Sequence, residues 1–163
     1  METRKSLPIV YLFVCLFTLQ LFAQNTPDFR FSTIDNRESK LSEVYKKGPV
    51  LINFWALWCK PCRAEIKALQ EIYSEYSDEG FTILGFNQDS PRSAAKVKSF
   101  VSSQGIDYPV ILDGDTEIFR KFNGQAMPYS ILIDKNGKIV YKHTGYLPGD
   151  EVRLREEIKK ALE

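Results

Sequence analysis

Two cysteines three residues apart constrain this chain more than any other feature. They lie in the stretch N-F-W-A-L-W-C-K-P-C-R-A-E, from Asn53 to Glu65, where an apolar segment gives way to a helical one. At this spacing Cys59 and Cys62 are one helical turn apart on one face, close enough for their sulfurs to bond. Pro61 suits the first turn of a helix, because the missing N–H removes no helical hydrogen bond there. The stretch therefore predicts a strand, a tight turn and a helix N-terminus around a cysteine pair.

The position of Cys59 predicts a reactive thiol. At a helix N-terminus the unpaired N–H groups and the positive end of the helix dipole favour a thiolate. The adjacent Lys60 adds a positive charge, which should lower the pKa of the Cys59 thiol further. Because the thiolate is the attacking species in disulfide exchange, we predict that Cys59 attacks and Cys62 resolves. We also expect Cys59 to be the more exposed thiol, with the lower pKa.

Three other interpretations of the pair are weaker. A purely structural disulfide would close so short a loop that it removes little unfolded-chain entropy. Half of a zinc site would need further Cys or His ligands, but there is no second Cys pair and the only histidine is His143. Two inert core cysteines would leave the preceding Trp58 and the intervening Pro61 unexplained. The redox interpretation is favoured, and we expect neither a metal nor an organic cofactor.

The motif W-C-x-P-C following F-W-A resembles the thioredoxin superfamily. In detail it is similar to the exported TlpA/ResA-like thiol–disulfide oxidoreductases, which often serve extracytoplasmic thiol reduction and cytochrome c maturation. A bare C-x-x-C is a weak signal, whereas the extended motif between a strand and a helix is a specific one. The resemblance covers about residues 27–162. It implies a protein-disulfide reductase that acts on protein disulfides or thiols and is recycled by an extracytoplasmic or membrane thiol reductant.

The N-terminal segment predicts export. A short basic start, M-E-T-R-K, precedes an apolar run over residues 7–23 that ends in a small residue, as in a secretory signal peptide. Cleavage after Ala23 is expected, although Leu21 is bulkier than usual at its position. An uncleaved membrane anchor is the alternative, because these 17 residues are near the lower limit for spanning a bilayer. We therefore predict a signal peptide or anchor over residues 1–23 and one thioredoxin-like domain over residues 24–163, in the periplasm or on the outer face of the membrane.

The charge balance narrows the class of partner. Without residues 1–23 the chain keeps 20 basic side chains (22 less Arg4 and Lys5) and 20 acidic ones (21 less Glu2). A net charge near zero argues against nucleic acid or an anionic membrane surface as a partner. Of the three cysteines only Cys59 and Cys62 then remain, a number that suits a redox pair better than a disulfide framework. We expect a monomer.

The hydrophobic pattern predicts alternating strands and helices. The stretch at residues 50–56 is apolar on both faces, as in a central strand covered by helices, and apolar spacing of three to four residues predicts a helix over 62–78. The remaining predictions are edge strands within 25–40, helices over 41–47, 91–104, 115–122 and 151–162, strands over 81–86 and 108–112, and a hairpin of 129–134 and 138–144. This order resembles the thioredoxin fold, an α/β fold with a mixed central sheet and helices on both faces. Relative to that fold, about residues 91–112 are predicted to form an extra α-β insert.

Two polar residues lie in or beside these apolar segments. Glu65, one turn beyond Cys62, is either a partly buried base for the Cys62 proton or an acid placed favourably in a first helical turn. The resemblance favours the first role, because ResA-like proteins use a glutamate here to tune the cysteines. Asn53 takes the place of the buried acid of cytoplasmic thioredoxins, and since an amide cannot accept the proton we predict a hydrogen-bonded core residue.

Lys67 replaces the family's helix-kinking proline, so the direction of the helix is left open.

The dipeptide Met127–Pro128 precedes the hairpin. Its local sequence predicts an ordinary trans bond, since only about 5–6% of X–Pro bonds in folded proteins are cis. The resemblance instead implies a cis proline packed against the cysteine pair, with Met127 offering backbone hydrogen bonds to a peptide. The substrate surface predicted in this way comprises Trp58, Lys60, Pro61, Met127 and Pro128, with Trp55 behind it. His143 is predicted to face solvent from the last strand.

Two other function classes remain. A peroxiredoxin-like peroxidase shares the extra α-β unit, but its P-x-x-x-T/S-x-x-C motif fails at Trp55, where the proline should be, and at Cys59, where the hydroxyl should be. A thioredoxin-like binding module without redox turnover would keep its function after Cys59→Ser.

Overall fold

The computed structural model describes residues 26–163. The predicted signal peptide or anchor lies outside these residues and stays a prediction. Within them, no helix is long and apolar enough to cross a membrane. The elements are β1 (Arg30–Ser32), β2 (Glu38–Lys40), α1 (Leu41–Tyr45), β3 (Val50–Trp55), α2 (Lys60–Tyr76), β4 (Thr82–Asn87), α3 (Ala94–Gln104), β5 (Val110–Leu112), α4 (Glu117–Lys121), β6 (Tyr129–Ile133), β7 (Ile139–Thr144) and α5 (Asp150–Leu162), with short 3₁₀ turns at Ser77–Glu79 and Pro91–Ser93.

Strand β3 is the middle strand of a five-stranded sheet with the order β5-β4-β3-β6-β7. It pairs in parallel with β4 and antiparallel with β6, and β4 and β5 are parallel while β6 and β7 are antiparallel. All six residues of β3 are buried, as the unbroken apolar run predicts for a strand covered on both faces. The predicted α/β fold with a mixed central sheet is therefore confirmed.

Successive side chains of β3 point to opposite faces of the sheet and enter two separate cores. Leu51 and Trp55 enter the core beneath α2, α3 and α5. Val50, Ile52 and Phe54 enter the core beneath α1 and α4. Helices therefore cover both faces, and the cysteine helix α2 lies over the first of these cores.

The predicted elements are present, with shifts of a few residues at their ends. The α-β insert is α3 followed by β5, as predicted. The early strands β1 and β2 pair with each other in a separate two-stranded sheet. The backbone that follows β1 joins the edge of the main sheet, where Thr33 bridges Ile111 and the Ile34 N–H donates to the Val110 carbonyl at 2.8 Å.

Helix α2 continues without interruption past the position of the missing proline. It runs for 17 residues, and Lys67 is exposed on its outer side. Its buried side includes Ile66, Leu69 and Ile72, at the spacing that the sequence predicts. The lysine is therefore compatible with a continuous helix that has the cysteine pair at its start.

Candidate active site

The two cysteines form a disulfide at the start of α2. Their Cα atoms are 5.3 Å apart. Cys59 is the N-cap residue, with extended backbone, and its sulfur accepts a hydrogen bond from the Cys62 N–H at 3.3 Å. Pro61 lies in the first turn. Cys59 is 4% exposed and Cys62 is fully buried, in the order that the sequence predicts.

The loop between β3 and α2 is fixed from both sides. The Leu57 N–H donates to the Asp89 carboxylate at 2.7 Å, and the Arg63 guanidinium donates to the Leu57 carbonyl at 2.6 Å. Asp89 is itself held by the side chain of Asn87, whose amide donates to it at 2.8 Å. These contacts join the end of β4 to the turn that presents Cys59. These hydrogen bonds therefore hold the loop that precedes the cysteine pair in one conformation.

The predicted substrate residues differ in exposure. Trp58 is 68% exposed beside the buried sulfurs, and Lys60 and Pro61 are exposed at the helix start. Trp55, predicted to lie behind them, is fully buried. An exposed indole next to a reactive sulfur offers apolar area to a docking chain at little entropic cost.

The Met127–Pro128 bond is cis, as the resemblance implied. Pro128 is buried, and its carbonyl accepts a hydrogen bond from the Gly145 N–H at 2.8 Å. Met127 is half-buried and packs against the core that contains both cysteines. The bond therefore lies between the start of β6 and the loop after β7.

Glu65 is buried, with only 4% of its surface exposed, in a small polar cluster beneath α2. The Asn53 amide donates to one carboxylate oxygen at 2.8 Å, and the Ser130 hydroxyl donates to the other at 3.2 Å. The same Asn53 amide also lies 3.0 Å from the Ser130 oxygen. Asn53 is thus the hydrogen-bonded core residue that the sequence predicts, and it holds Glu65 one turn beyond Cys62.

Burial raises the pKa of Glu65 to about 7, against the hydrogen bonds from Asn53 and Ser130, which lower it. The nearby Asp150 carboxylate adds repulsion and raises the pKa slightly more. A carboxyl that titrates near neutral pH can both accept and return a proton in that range. The expected desolvation of Glu65 is therefore present.

The prediction for His143 needs correction. Its side chain is half-buried, and Nε2 lies 3.2 Å from the Asp150 carboxylate at the start of α5. The alternation along β7 does not reveal that α5 packs across this end of the strand. His143 and Asp150 line a narrow cavity that also touches Glu65 and Ser130.

Ser130 is the site residue that the sequence analysis missed. It is the one polar side chain in the buried strand Y-S-I-L-I, just as Asn53 is in β3. The two residues are direct partners across the β3–β6 ladder. Two polar exceptions in neighbouring buried strands are the signal that could have identified them as a pair.

The arrangement supports dithiol–disulfide exchange. It combines a sulfur at a helix N-terminus, a second sulfur buried one turn inside, and a buried carboxyl one further turn along. Within residues 26–163, no cluster of three or more His, Cys, Asp or Glu side chains could hold a metal ion.

This chain matches one family model and is similar to a thiol-disulfide oxidoreductase over most of its length. The family model for Redoxin matches residues 23–161. The thiol-disulfide oxidoreductase ResA of Geobacillus thermodenitrificans is 34% identical over 137 residues, which are 84% of this chain and 74% of that protein.

Two solved structures are also similar. A thiol:disulfide interchange protein of the thioredoxin family from Chlorobium tepidum matches with a TM-score of 0.73 and 28% identity, covering 85% of this chain and 96% of that one. A thioredoxin-like protein from Porphyromonas gingivalis matches with a TM-score of 0.68 and 33% identity, covering 86% and 92%.

Proposed function

This chain belongs to the redoxin family as a TlpA/ResA-like member of the thioredoxin superfamily and is a thiol–disulfide oxidoreductase, and on that premise we propose that it reduces protein disulfides outside the cytoplasm. The observation that carries the dithiol chemistry of this proposal is the placement of Glu65. This buried carboxyl lies one helical turn beyond the buried Cys62, and its pKa is about 7. The pair would thus include its own proton acceptor.

The first step is attack by the Cys59 thiolate on a substrate disulfide. A bond forms between the Cys59 sulfur and one substrate sulfur, the substrate disulfide breaks, and the other substrate sulfur leaves as a thiolate. The helix N-terminus stabilises the attacking thiolate. Trp58, Pro61 and Met127 would form the apolar surface on which the substrate docks, and Lys60 would add a positive charge. The buried Pro128 would fix the backbone of the adjacent Met127.

The second step is resolution by Cys62. Its thiol gives its proton to the Glu65 carboxylate and attacks the Cys59 sulfur. The Cys59–Cys62 bond forms and the mixed disulfide breaks, so that the second substrate sulfur also leaves as a thiolate. The substrate becomes a dithiol when each of its two thiolates takes a proton from solvent. Two electrons have then passed from protein to substrate, and the chain is left in the disulfide form of this structure. An extracytoplasmic or membrane thiol reductant must restore the dithiol.

The reducing direction and the location are the finer parts of the proposal. The relationship to ResA supports reduction, and a role in cytochrome c maturation would fit it, whereas Lys60 would stabilise the reduced thiolate and make the pair more oxidising. The apolar run over residues 7–23 supports export. N-terminal sequencing of the protein recovered from cells would distinguish cleavage after Ala23 from a retained anchor.

A trapping experiment tests the function. Cys62→Ser should accumulate mixed disulfides between Cys59 and its substrates, because the resolving thiol is gone. Cys59→Ser is the matched control and should trap none. Substrates recovered as exported proteins with paired cysteines would support the proposal. Peroxide consumption without trapping, or full cellular function of Cys59→Ser, would contradict it in favour of a peroxidase or a binding module, respectively.

A further inference from the structure

The proton that Glu65 receives has to leave a buried site once in every cycle. Glu65 and Cys62 are both closed off from solvent, at 4% and 0% exposure. Glu65 can accept a second proton only after the first has been lost. The route taken by this proton is a question separate from the sulfur chemistry, although it rests on the proposed role of Glu65 as the base.

The residues that connect Glu65 to the surface follow from the register of the sheet. The Ser130 hydroxyl donates to Glu65 at 3.2 Å. On the neighbouring strand β7, His143 is the direct partner of Ser130. Directly opposed side chains of antiparallel strands lie on the same face, with Cβ atoms about 4.5–5.5 Å apart. His143 in turn lies 3.2 Å from the Asp150 carboxylate.

A cavity joins these four residues. It is lined by Glu65, Ser130, His143 and Asp150, among others. The volume within which the centre of a water molecule could lie is about 10 Å³. That is roughly the least volume that one water needs. The lining is largely apolar, with Ala68, Leu69 and Leu154 among its residues, so the four polar residues named above are the partners that such a water would have. The inner end of the cavity is Glu65. At the outer end, the side chains of His143 and Asp150 are 33% and 35% exposed.

The hydrogen bond to Asp150 fixes which ring nitrogen of His143 can receive a proton. An ionised carboxylate only accepts hydrogen bonds, so Nε2 is the donor. The Leu147 N–H, at 2.7 Å, lowers the pKa of Asp150 most, and His143 lowers it further, so Asp150 is ionised near neutral pH. In the neutral imidazole Nδ1 is then the nitrogen without a proton, and the carboxylate stabilises the imidazolium that forms when Nδ1 takes one.

We propose that Ser130, His143 and Asp150 form the route by which the proton of Glu65 exchanges with solvent. The Ser130 hydroxyl takes the proton from Glu65 and passes its own to a water in the cavity. The water passes one to Nδ1 of His143, and the half-exposed imidazolium releases it to bulk water. His143 acts through Glu65 and touches neither sulfur in this scheme.

Several other titratable groups surround Glu65 and must be considered in any pH experiment. Burial raises the pKa of Tyr108 well above its usual value, so its hydroxyl keeps its proton throughout the relevant range. The pKa of Tyr146 is raised to about 12. Glu151 also lines the cavity and accepts a hydrogen bond from Tyr146. The groups facing Glu65 are Cys62 on α2, Tyr108 before β5, Tyr141 and His143 on β7, Tyr146 in the following loop, and Asp150 and Glu151 on α5.

Carboxyl-carbon NMR of the glutamate-labelled protein tests the route directly. The line shape of the Glu65 resonance near the midpoint of its titration reports how fast its proton exchanges. His143→Gln keeps a side-chain donor for Asp150 but cannot carry a proton. It should slow the exchange roughly tenfold or more, and imidazole added to the buffer should restore it. Val140→Gln is the control, because it places the same side chain on β7 at a residue that does not line this cavity.

The outcomes separate the route from the base role. Exchange in His143→Gln as fast as in wild type would overturn the route, even if Glu65→Gln slows resolution. Unchanged resolution in Glu65→Gln would refute the base role itself and leave the route without a function. His143→Asn provides a second variant of the same kind if His143→Gln does not fold.

Discussion

The two faces of the central sheet carry different kinds of interior. Beneath α1 and α4 the core is aromatic, and Phe54 lies 5.2–6.1 Å, centre to centre, from the four rings of Phe86, Phe119, Phe122 and Tyr129. Beneath α2 the core contains buried polar groups, among them Asn53, Glu65 and Ser130. The same strand supplies both faces through alternate residues. The aromatic core beneath α1 and α4 can therefore stabilise the fold. The core beneath α2 contains buried polar groups, which lower stability but serve the proposed chemistry.

Removing an aromatic ring should affect the stability of the protein and leave sulfur exchange intact. Phe54→Ala should lower the free energy of unfolding by about 3–5 kcal/mol, because it leaves a cavity in a fully buried aromatic cluster. Urea unfolding with the disulfide intact measures this effect. Phe54→Leu is the control and should lose much less. If folded Phe54→Ala exchanged disulfides far more slowly than wild type, the separation of the two faces would be wrong.

Glu65 should impose a pH dependence on stability that the aromatic face lacks. Its pKa rises from 4.5 to about 7 on folding, so the folded state binds the proton more tightly. The stabilising effect of this proton is fully present below pH 4.5 and is lost as pH rises to about 7. We expect the unfolding free energy of wild type to fall by roughly 3 kcal/mol across this range, and Glu65→Gln to remove that fall.

The matched control for this experiment is Glu71→Gln, the same change on the exposed side of α2. It should retain the fall in stability. Equal pH profiles for wild type and Glu65→Gln would show that the buried carboxyl does not carry the effect.

Glu65→Gln should also separate the two chemical steps. Resolution should slow by roughly a hundredfold, because the Cys62 thiol loses its base, while attack by Cys59 should change much less. In wild type, resolution should speed up as pH rises through about 7, where Glu65 becomes ionised. Stopped-flow reduction of a peptide disulfide resolves attack and resolution as separate phases. Unchanged resolution between about pH 6 and 8 would show that Glu65 is only an acid placed favourably in a first helical turn and not the base for Cys62.

The smallest expected effect concerns Asp150. Its carboxylate raises the pKa of Glu65 by repulsion, so Asp150→Asn should lower that pKa by less than about one unit. The amide oxygen can still accept the Leu147 N–H, which preserves the start of α5. The midpoint of the pH profile for resolution measures the shift. Glu151→Gln is the control, and a midpoint that moved equally in both variants would argue against a specific effect of Asp150.

The sequence predicts the central strand β3 and the cysteine motif better than it predicts the polar cluster of Asn53, Glu65 and Ser130. An unbroken apolar run identifies β3, and the W-C-x-P-C motif identifies the start of α2, because both signals are local. Glu65 could be singled out because it is one turn from Cys62. Its partner Ser130 was missed, because its contact with Glu65 follows from the register that places Ser130 opposite Asn53, and only the polar character of both residues hints at that register in the sequence. His143 was misjudged for the same kind of reason, because α5 packs across the end of its strand.

Cys59 is at once a redox centre and the cap of a helix, so the oxidation state and the start of α2 are thermodynamically linked. In the proposed mechanism, the sulfur that accepts the Cys62 N–H in the disulfide becomes the thiolate after reduction. A charged acceptor forms a stronger hydrogen bond than a neutral one. Reduction therefore anchors the first turn of the helix more firmly. Part of the free energy of reduction therefore comes from the stronger hydrogen bond between the Cys62 N–H and the Cys59 sulfur at the helix N-terminus.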